Sequence, residues 1–159
     1  MPTSTPHPAL RLARSIGVFI LAVVLVSVAG SLVQTQINLA ALASIGAEIS
    51  LADRLDTTLA DLAGFAPIYA LVVFSSLVLA FPVAALLGRF WLAKWRTGLF
   101  VLAGASGLYV GFLMLNALTP PPTLIAATRG AFGTLLLVAC SGAGGWFYAR
   151  LSRFPASKY

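Results

Sequence analysis

The sequence predicts an all-α fold, an integral membrane four-helix bundle. Three observations carry that expectation. The chain is 60% hydrophobic and only 9% charged, against roughly 25% charged residues in a soluble domain. It contains four apolar runs, each close to the roughly 20 residues that cross a hydrocarbon core. Its Lys and Arg gather in segments that a four-span chain brings to one side of a bilayer. A water-soluble fold of 159 residues with this composition would leave large apolar patches exposed, whereas lipid removes that difficulty.

The runs cover about 16–33, 68–87, 99–118 and 130–148. None has a charge well inside it, and none shows the in-out alternation of a barrel strand, so helix is the spanning form. Eight of the ten basic residues (Arg11, Arg14, Arg89, Lys94, Arg96, Arg150, Arg153 and Lys158) fall in the two tails and the link between the second and third runs. Only Arg54 and Arg129 lie on the opposite side, together with all four acids, Glu48, Asp53, Asp56 and Asp61. The positive-inside rule therefore predicts both ends in the cytoplasm, N-in and C-in. Residues 1–14, with Pro2, Pro6, His7 and Pro8, read as a disordered tail, 15–150 as the membrane domain, and 151–159 as a second tail. Phe90, Trp91, Trp95, Trp146, Phe147, Tyr148, Phe65 and Tyr69 stand near run ends, where amphipathic rings favour the headgroup level. A rival reading cleaves a signal peptide after Ala29, behind the small residues Ser27 and Ala29. The apolar run continues to Val33, longer than a usual signal core, which favours an uncleaved helix.

Residues 34–64 form the one sizeable outer loop. Gln34, Gln36 and Asn38 are expected at the interface, where amides meet water. Ser50 followed by Asp53 resembles a capping box, with Asp in place of Glu or Gln. Leu51, Leu55, Leu59 and Leu62 then recur at helical spacing, with Asp53, Arg54, Asp56 and Asp61 on the other face. A short amphipathic helix over about 51–62 is predicted. Its acidic face is unlike that of a lipid-headgroup binder, so docking onto its own bundle or a partner protein is expected.

In lipid, helices associate by close packing, which small residues permit. Ala103, Gly107 and Gly111 in the third run, and Cys140, Ser141, Gly144 and Gly145 in the fourth, predict a tight antiparallel pair. The link Thr119-Pro120-Pro121-Pro122-Thr123 supports a stiff turn between them. Pro82 is expected to kink the second helix, with Ser75 and Ser76 supplying compensating hydroxyls. Arg129, at the outer end of the fourth run, is expected to snorkel, to pair with Asp61, Glu48 or Asn116, or to meet an anionic group.

The chemistry-bearing residues are few. There is one His, His7, and one cysteine, Cys140, which reads as a packing residue. Asp53 and Asp56 are one helical turn apart, but Asp61 is displaced around the wheel, so no metal site is expected. No phosphate-binding glycine loop, haem ligand pair or base-nucleophile cluster is present, and no cofactor is expected. Net charge +6 is explained by orientation rather than nucleic-acid binding. The expected function is a non-enzymatic accessory or structural subunit of a membrane complex. Its expected partners are the lipid bilayer and a membrane protein or a second copy. The alternative is a small oligomeric transporter or channel, its path lined by Pro82, Asn116, Arg129 and the Gln34–Asn38 stretch. An enzyme using the acidic loop ranks third. The richness in Ala, Leu, Val and Gly suits a bacterial inner membrane.

Overall fold

The computed structural model describes residues 8–90, 92–119 and 125–152. They form four long helices, all long and apolar enough to cross a membrane, an architecture compatible with an integral membrane protein. Helix α1 covers Pro8–Ser44, α2 Leu51–Phe90, α3 Arg96–Leu118 and α4 Ala131–Leu151. Short 3-10 turns, Ala93–Trp95 and Ala126–Arg129, precede α3 and α4. Each helix packs against its chain neighbours, and α4 closes the ring against α1. The most extensive contact joins α3 and α4.

The elements run longer than the apolar patterning predicts. Helix α1 has 37 residues and α2 has 40, so α2 is about 60 Å long at 1.5 Å per residue. Residues 8–14, expected as disordered tail, are the first turns of α1. Residues 1–7 and 153–159 of the expected tails lie outside the described residues, as does the proline link at 120–124. The expected outer loop reduces to a tight turn. Gly46 adopts φ +93°, and its N–H donates to the Ala43 carbonyl at 3.1 Å, while that of Ala47 donates to the Leu42 carbonyl at 3.2 Å. This is a Schellman ending, in which a left-handed glycine satisfies the last carbonyls of the helix. Ser50 and Asp53 then open α2 as a reciprocal cap. The Ser50 N–H and hydroxyl donate to Asp53 Oδ2 at 3.0 and 2.6 Å, and the Asp53 N–H donates to Ser50 Oγ at 3.2 Å.

The amphipathic stretch at 51–62 is thus helical, but it is the start of α2 and not a separate loop helix. It lies against α1 of the same chain. The polar side meets α1: Thr35 Oγ1 donates to Asp61 Oδ2 at 2.6 Å, Gln36 Nε2 to Thr58 Oγ1 at 3.4 Å, and Arg54 Nη1 to Gln36 Oε1 at 3.3 Å. Leu51, Leu55 and Leu59 face outward, whereas Leu62 is half-buried. Polar α1 residues at the same height (Thr35 and Gln36) select this pairing, because unpaired amides and carboxylates between helices would be costly.

The core lies between the helices and is aromatic at two levels. Phe81 packs edge-on to Phe100 at 5.3 Å and lies 4.8 Å from Tyr148. Higher up, Tyr69 stacks on Phe65 at 5.4 Å and on Phe112 at 6.4 Å. Tyr69 is fully buried, and half-buried Tyr148 shares a 2.7 Å hydrogen bond with Ser15. Both are therefore bundle residues and not the interfacial anchors their positions suggest. Trp95 and Trp146 are exposed. Helix α2 runs through Pro67 and Pro82 without a break. The Ser75 hydroxyl donates to the Leu71 and Val72 carbonyls at 2.7 and 3.1 Å. Those lie upstream of the Val78 carbonyl that Pro82 leaves without its i+4 donor.

Candidate functional site

Three regions of the bundle bring polar or docking-competent groups together. The first is its basic end. Arg96 Nη1 donates to the Ala149 carbonyl at 2.6 Å and its Nη2 to Ser152 Oγ at 2.9 Å. Arg14 Nη2 donates to the Leu151 carbonyl at 3.0 Å. Two guanidinium groups thereby cover the carbonyls at the C-terminus of α4, where the helix dipole favours positive charge. Arg96 also lies over the Phe100 ring at 5.0 Å, and Arg150 over Trp146 at 5.3 Å. Sequence reasoning assigned these cations to orientation alone. The signal for a cap was their proximity to helix ends, but only packing reveals which helix they cap.

The second region is the projecting hairpin. Gln34 Oε1 accepts from the Ala127 N–H at 3.3 Å, tying the turn before α4 to α1. Beyond that height α1 and α2 continue as a two-helix hairpin. Its outer surface carries Ile45, Leu51, Leu55 and Leu59 at 79, 77, 59 and 64% exposure. Asp53 and Asp56 are exposed on the same projection, and Asp61 is half-buried beside Thr35. The hydrogen bonds from Ser50 hold the Asp53 carboxyl below its ordinary pKa. The aspartates are spread along α2, and among the described residues no group of three His, Cys, Asp or Glu is placed to hold a metal.

The third region lies between α3 and α4 at the hairpin end. A cavity of about 400 Å³ is lined by Tyr109, Phe112, Leu113, Asn116, Thr128, Arg129, Gly130, Ala131, Thr134 and Leu135. Asn116 and Arg129, singled out from the sequence, are brought together here. Thr128 Oγ1 donates to the Ile125 carbonyl at 2.7 Å, and Thr134 Oγ1 to the Gly130 carbonyl at 3.0 Å. A larger apolar groove of about 600 Å³ runs between α2 and α3 past Ser75, Ser76, Ser106, Gly107 and Gly111.

The small residues serve three contacts instead of one. Ser141 Oγ donates to the Gly104 carbonyl at 2.8 Å, and a Cβ on Gly104 or Gly145 would collide with backbone of the facing helix, at Ser141 and Phe100 respectively. Gly107 and Gly111 face Ser76 and Ala80 of α2, while Gly144 faces Val26 of α1. Ala103 packs against the core, and Cys140 is half-buried. Gly104, rather than Ala103, is the closest approach to α4. Inside the bundle, α1 presents a buried polar stripe of Ser27, Ser31, Gln34 and Thr35. The Ser31 and Tyr69 hydroxyls are buried with no hydrogen-bond partner among the described residues.

Comparison with protein-family profiles, curated proteins and solved structures finds no match.

Proposed function

We propose that the chain is a non-enzymatic subunit of a membrane assembly, inserted with both ends in the cytoplasm and docked to its partner through the α1–α2 hairpin. The observation that carries this reading is the outward leucine face of the hairpin. Leu51, Leu55 and Leu59 are all more than half exposed. They stand on a pair of helices that outruns α3, which has 23 residues, and α4, which has 21. A hydrocarbon core of about 30 Å needs roughly 20 residues of helix, so α2 has about as many again to place elsewhere. Exposed aliphatic side chains at helical spacing are the anchors of a helix-in-groove contact. Arg54, Thr58 and Asp61 are already engaged with α1, leaving the leucines, flanked by Asp53 and Asp56, for the partner.

The oligomeric transporter reading has less support. Pro82 lines a cleft with Ser15, Phe19, Phe81 and Tyr148, whereas Asn116 and Arg129 line another cavity. Within one chain these residues do not share a path.

The test is co-isolation in mild detergent of the intact chain and of a Leu51→Gln, Leu55→Gln, Leu59→Gln variant. Expected is a stoichiometric membrane partner retained by the first and lost by the second, with unchanged helicity. A wild-type chain that emerges alone and monomeric refutes the subunit reading. Reporter fusions at residues 8 and 159 should report the same face of the membrane; opposite faces would refute the orientation.

A further inference from the structure

We propose that the cavity between α3 and α4 at the hairpin end binds an anionic amphiphile. Its phosphate or carboxylate group would meet Arg129 and Asn116, and its tail would lie along Phe112 and Leu135. This rests on the membrane reading above but not on the docking of the hairpin.

The cavity, about 400 Å³, falls within the roughly 300–1,000 Å³ of ligand pockets, which are mostly apolar with a few placed polar groups. Phe112 and Leu135 supply the apolar part, and Asn116, Thr128, Arg129 and Thr134 the polar part. The polar groups come from two elements that meet only in the fold: the last turns of α3, and the 3-10 turn with the first turn of α4. Among the described residues of this lining, Arg129 is the only basic one. Arg129 is already engaged, and the five N–H donors of a guanidinium leave others to meet a phosphate or carboxylate. Asn116 is exposed, and its carboxamide has no hydrogen-bond partner among the described residues. An amide at the end of an otherwise apolar helix adds a donor beside the cation, without adding a negative charge. Gly130 belongs to the lining and is exposed, and an added Cβ there would meet nothing within 4 Å. Gly130 has φ −116° and ψ 146°, extended backbone that any residue adopts, so its lack of a side chain leaves room without serving the backbone. An apolar wall under a single cation at a helix end fits an amphiphile better than a fully hydrated anion, because the tail is covered where the headgroup is held.

The experiment uses the full chain in phosphatidylcholine nanodiscs with trace photoactivatable lipid, carrying a diazirine at the top of one acyl chain. Phosphatidylglycerol and phosphatidylcholine analogues are compared, and labelled peptides are mapped. The basic end attracts anionic lipid through many cations, so mapping to segments 109–116 and 130–135 isolates this cavity. Expected is labelling of these segments about tenfold stronger by the anionic analogue, the ratio one charge-assisted hydrogen bond sustains. Arg129→Gln should bring the ratio close to one, and Arg129→Lys should keep most of it. Gly130→Leu, which fills the space without backbone strain, should abolish labelling by both analogues. Equal labelling of the wild type by both analogues, or an undiminished preference in Arg129→Gln, overturns the proposal. Displacement of the label by free glycerol phosphate overturns the amphiphile in favour of a soluble anion. Label at the basic end with this cavity unlabelled refutes the site alone, whereas no label along any of the four helices refutes the membrane reading with it.

Discussion

Gly104 and Gly64 are both helical glycines, and their surroundings give them opposite roles. A Cβ at Gly104 would press into the Ser141 backbone, while one at Gly64 meets nothing within 4 Å. Gly104→Ala should lower stability by about 1–3 kcal/mol, the cost of overpacking. Gly64→Ala should raise it by about 0.5–1 kcal/mol by restricting the unfolded chain. Thermal unfolding in detergent checks both signs. Asp53 provides a pH readout at the same scale. The Ser50 hydrogen bonds hold its folded pKa below the ordinary value of 3.8. A depressed carboxyl binds fewer protons folded than unfolded, so its contribution is fully present above the unfolded pKa. It is lost as pH falls through the folded one. Between neutral pH and about pH 5 the wild type should show no change from this group. Below the ordinary carboxylate range the start of α2 should fray, and Asp53→Asn should remove that part of the acid response. Amide exchange over residues 51–54 reports it.

Among the elements, the hairpin turn and the α4 terminus are the places where one side chain controls a helix end. Gly46 is left-handed at φ +93°, a conformation that costs other residues roughly 1–2 kcal/mol. Gly46→Ala should destabilise by about that amount and loosen the amides of Gly46 and Ala47. Its signal was present in the sequence, since a glycine after an apolar stretch marks a helix end. The polar residues Gln34, Gln36 and Asn38 suggested instead that α1 stops at Val33. Amides can stay helical when a second helix offers partners, and α2 supplies Thr58, Arg54 and Asp61. At the other end, Arg96 reaches the Ala149 carbonyl and Ser152. Arg96→Gln should cost about 1–3 kcal/mol, the scale of hydrogen bonds from charged groups, with faster exchange confined to the last turn of α4. Arg14→Gln, whose bond to Leu151 is exposed, should cost less, about 0.3–1 kcal/mol.

The whole molecule is a closed ring of four helices with one pair longer than the other. Outward-facing aliphatic residues cover all four helices, so the inner core alone does not account for the composition and a low-dielectric exterior does. Most of the cations cluster at one end, while the acids lie at the hairpin end with Arg54 and Arg129. This arrangement follows from alternating helix direction once the four spans are in place. The hairpin is where α1 and α2 outrun α3 and α4, and the proposed partner contact is placed there for that reason.

The four helices of membrane-spanning length, their apolar character, the segregation of most charges and the reciprocal cap at Ser50 and Asp53 were legible in the residues alone, whereas the separate loop helix expected at 51–62 is the start of α2. Each is a local or additive property: hydropathy over a window, charge counted by segment, a side chain bonding three residues away. The tertiary structure alone decided which helix each small residue faces, which carbonyls Arg14 and Arg96 cover, and that Leu51, Leu55 and Leu59 are left exposed. It also decided that Asn116 and Arg129 share a cavity. These depend on the rotation and height of one helix against another. Those variables are set by close backbone approach at Gly104, Gly144 and Gly145 and by the Thr35–Asp61 and Gln34–Ala127 hydrogen bonds. A helix with apolar residues on every side leaves its rotation open to sequence reasoning, since no single face is marked for burial.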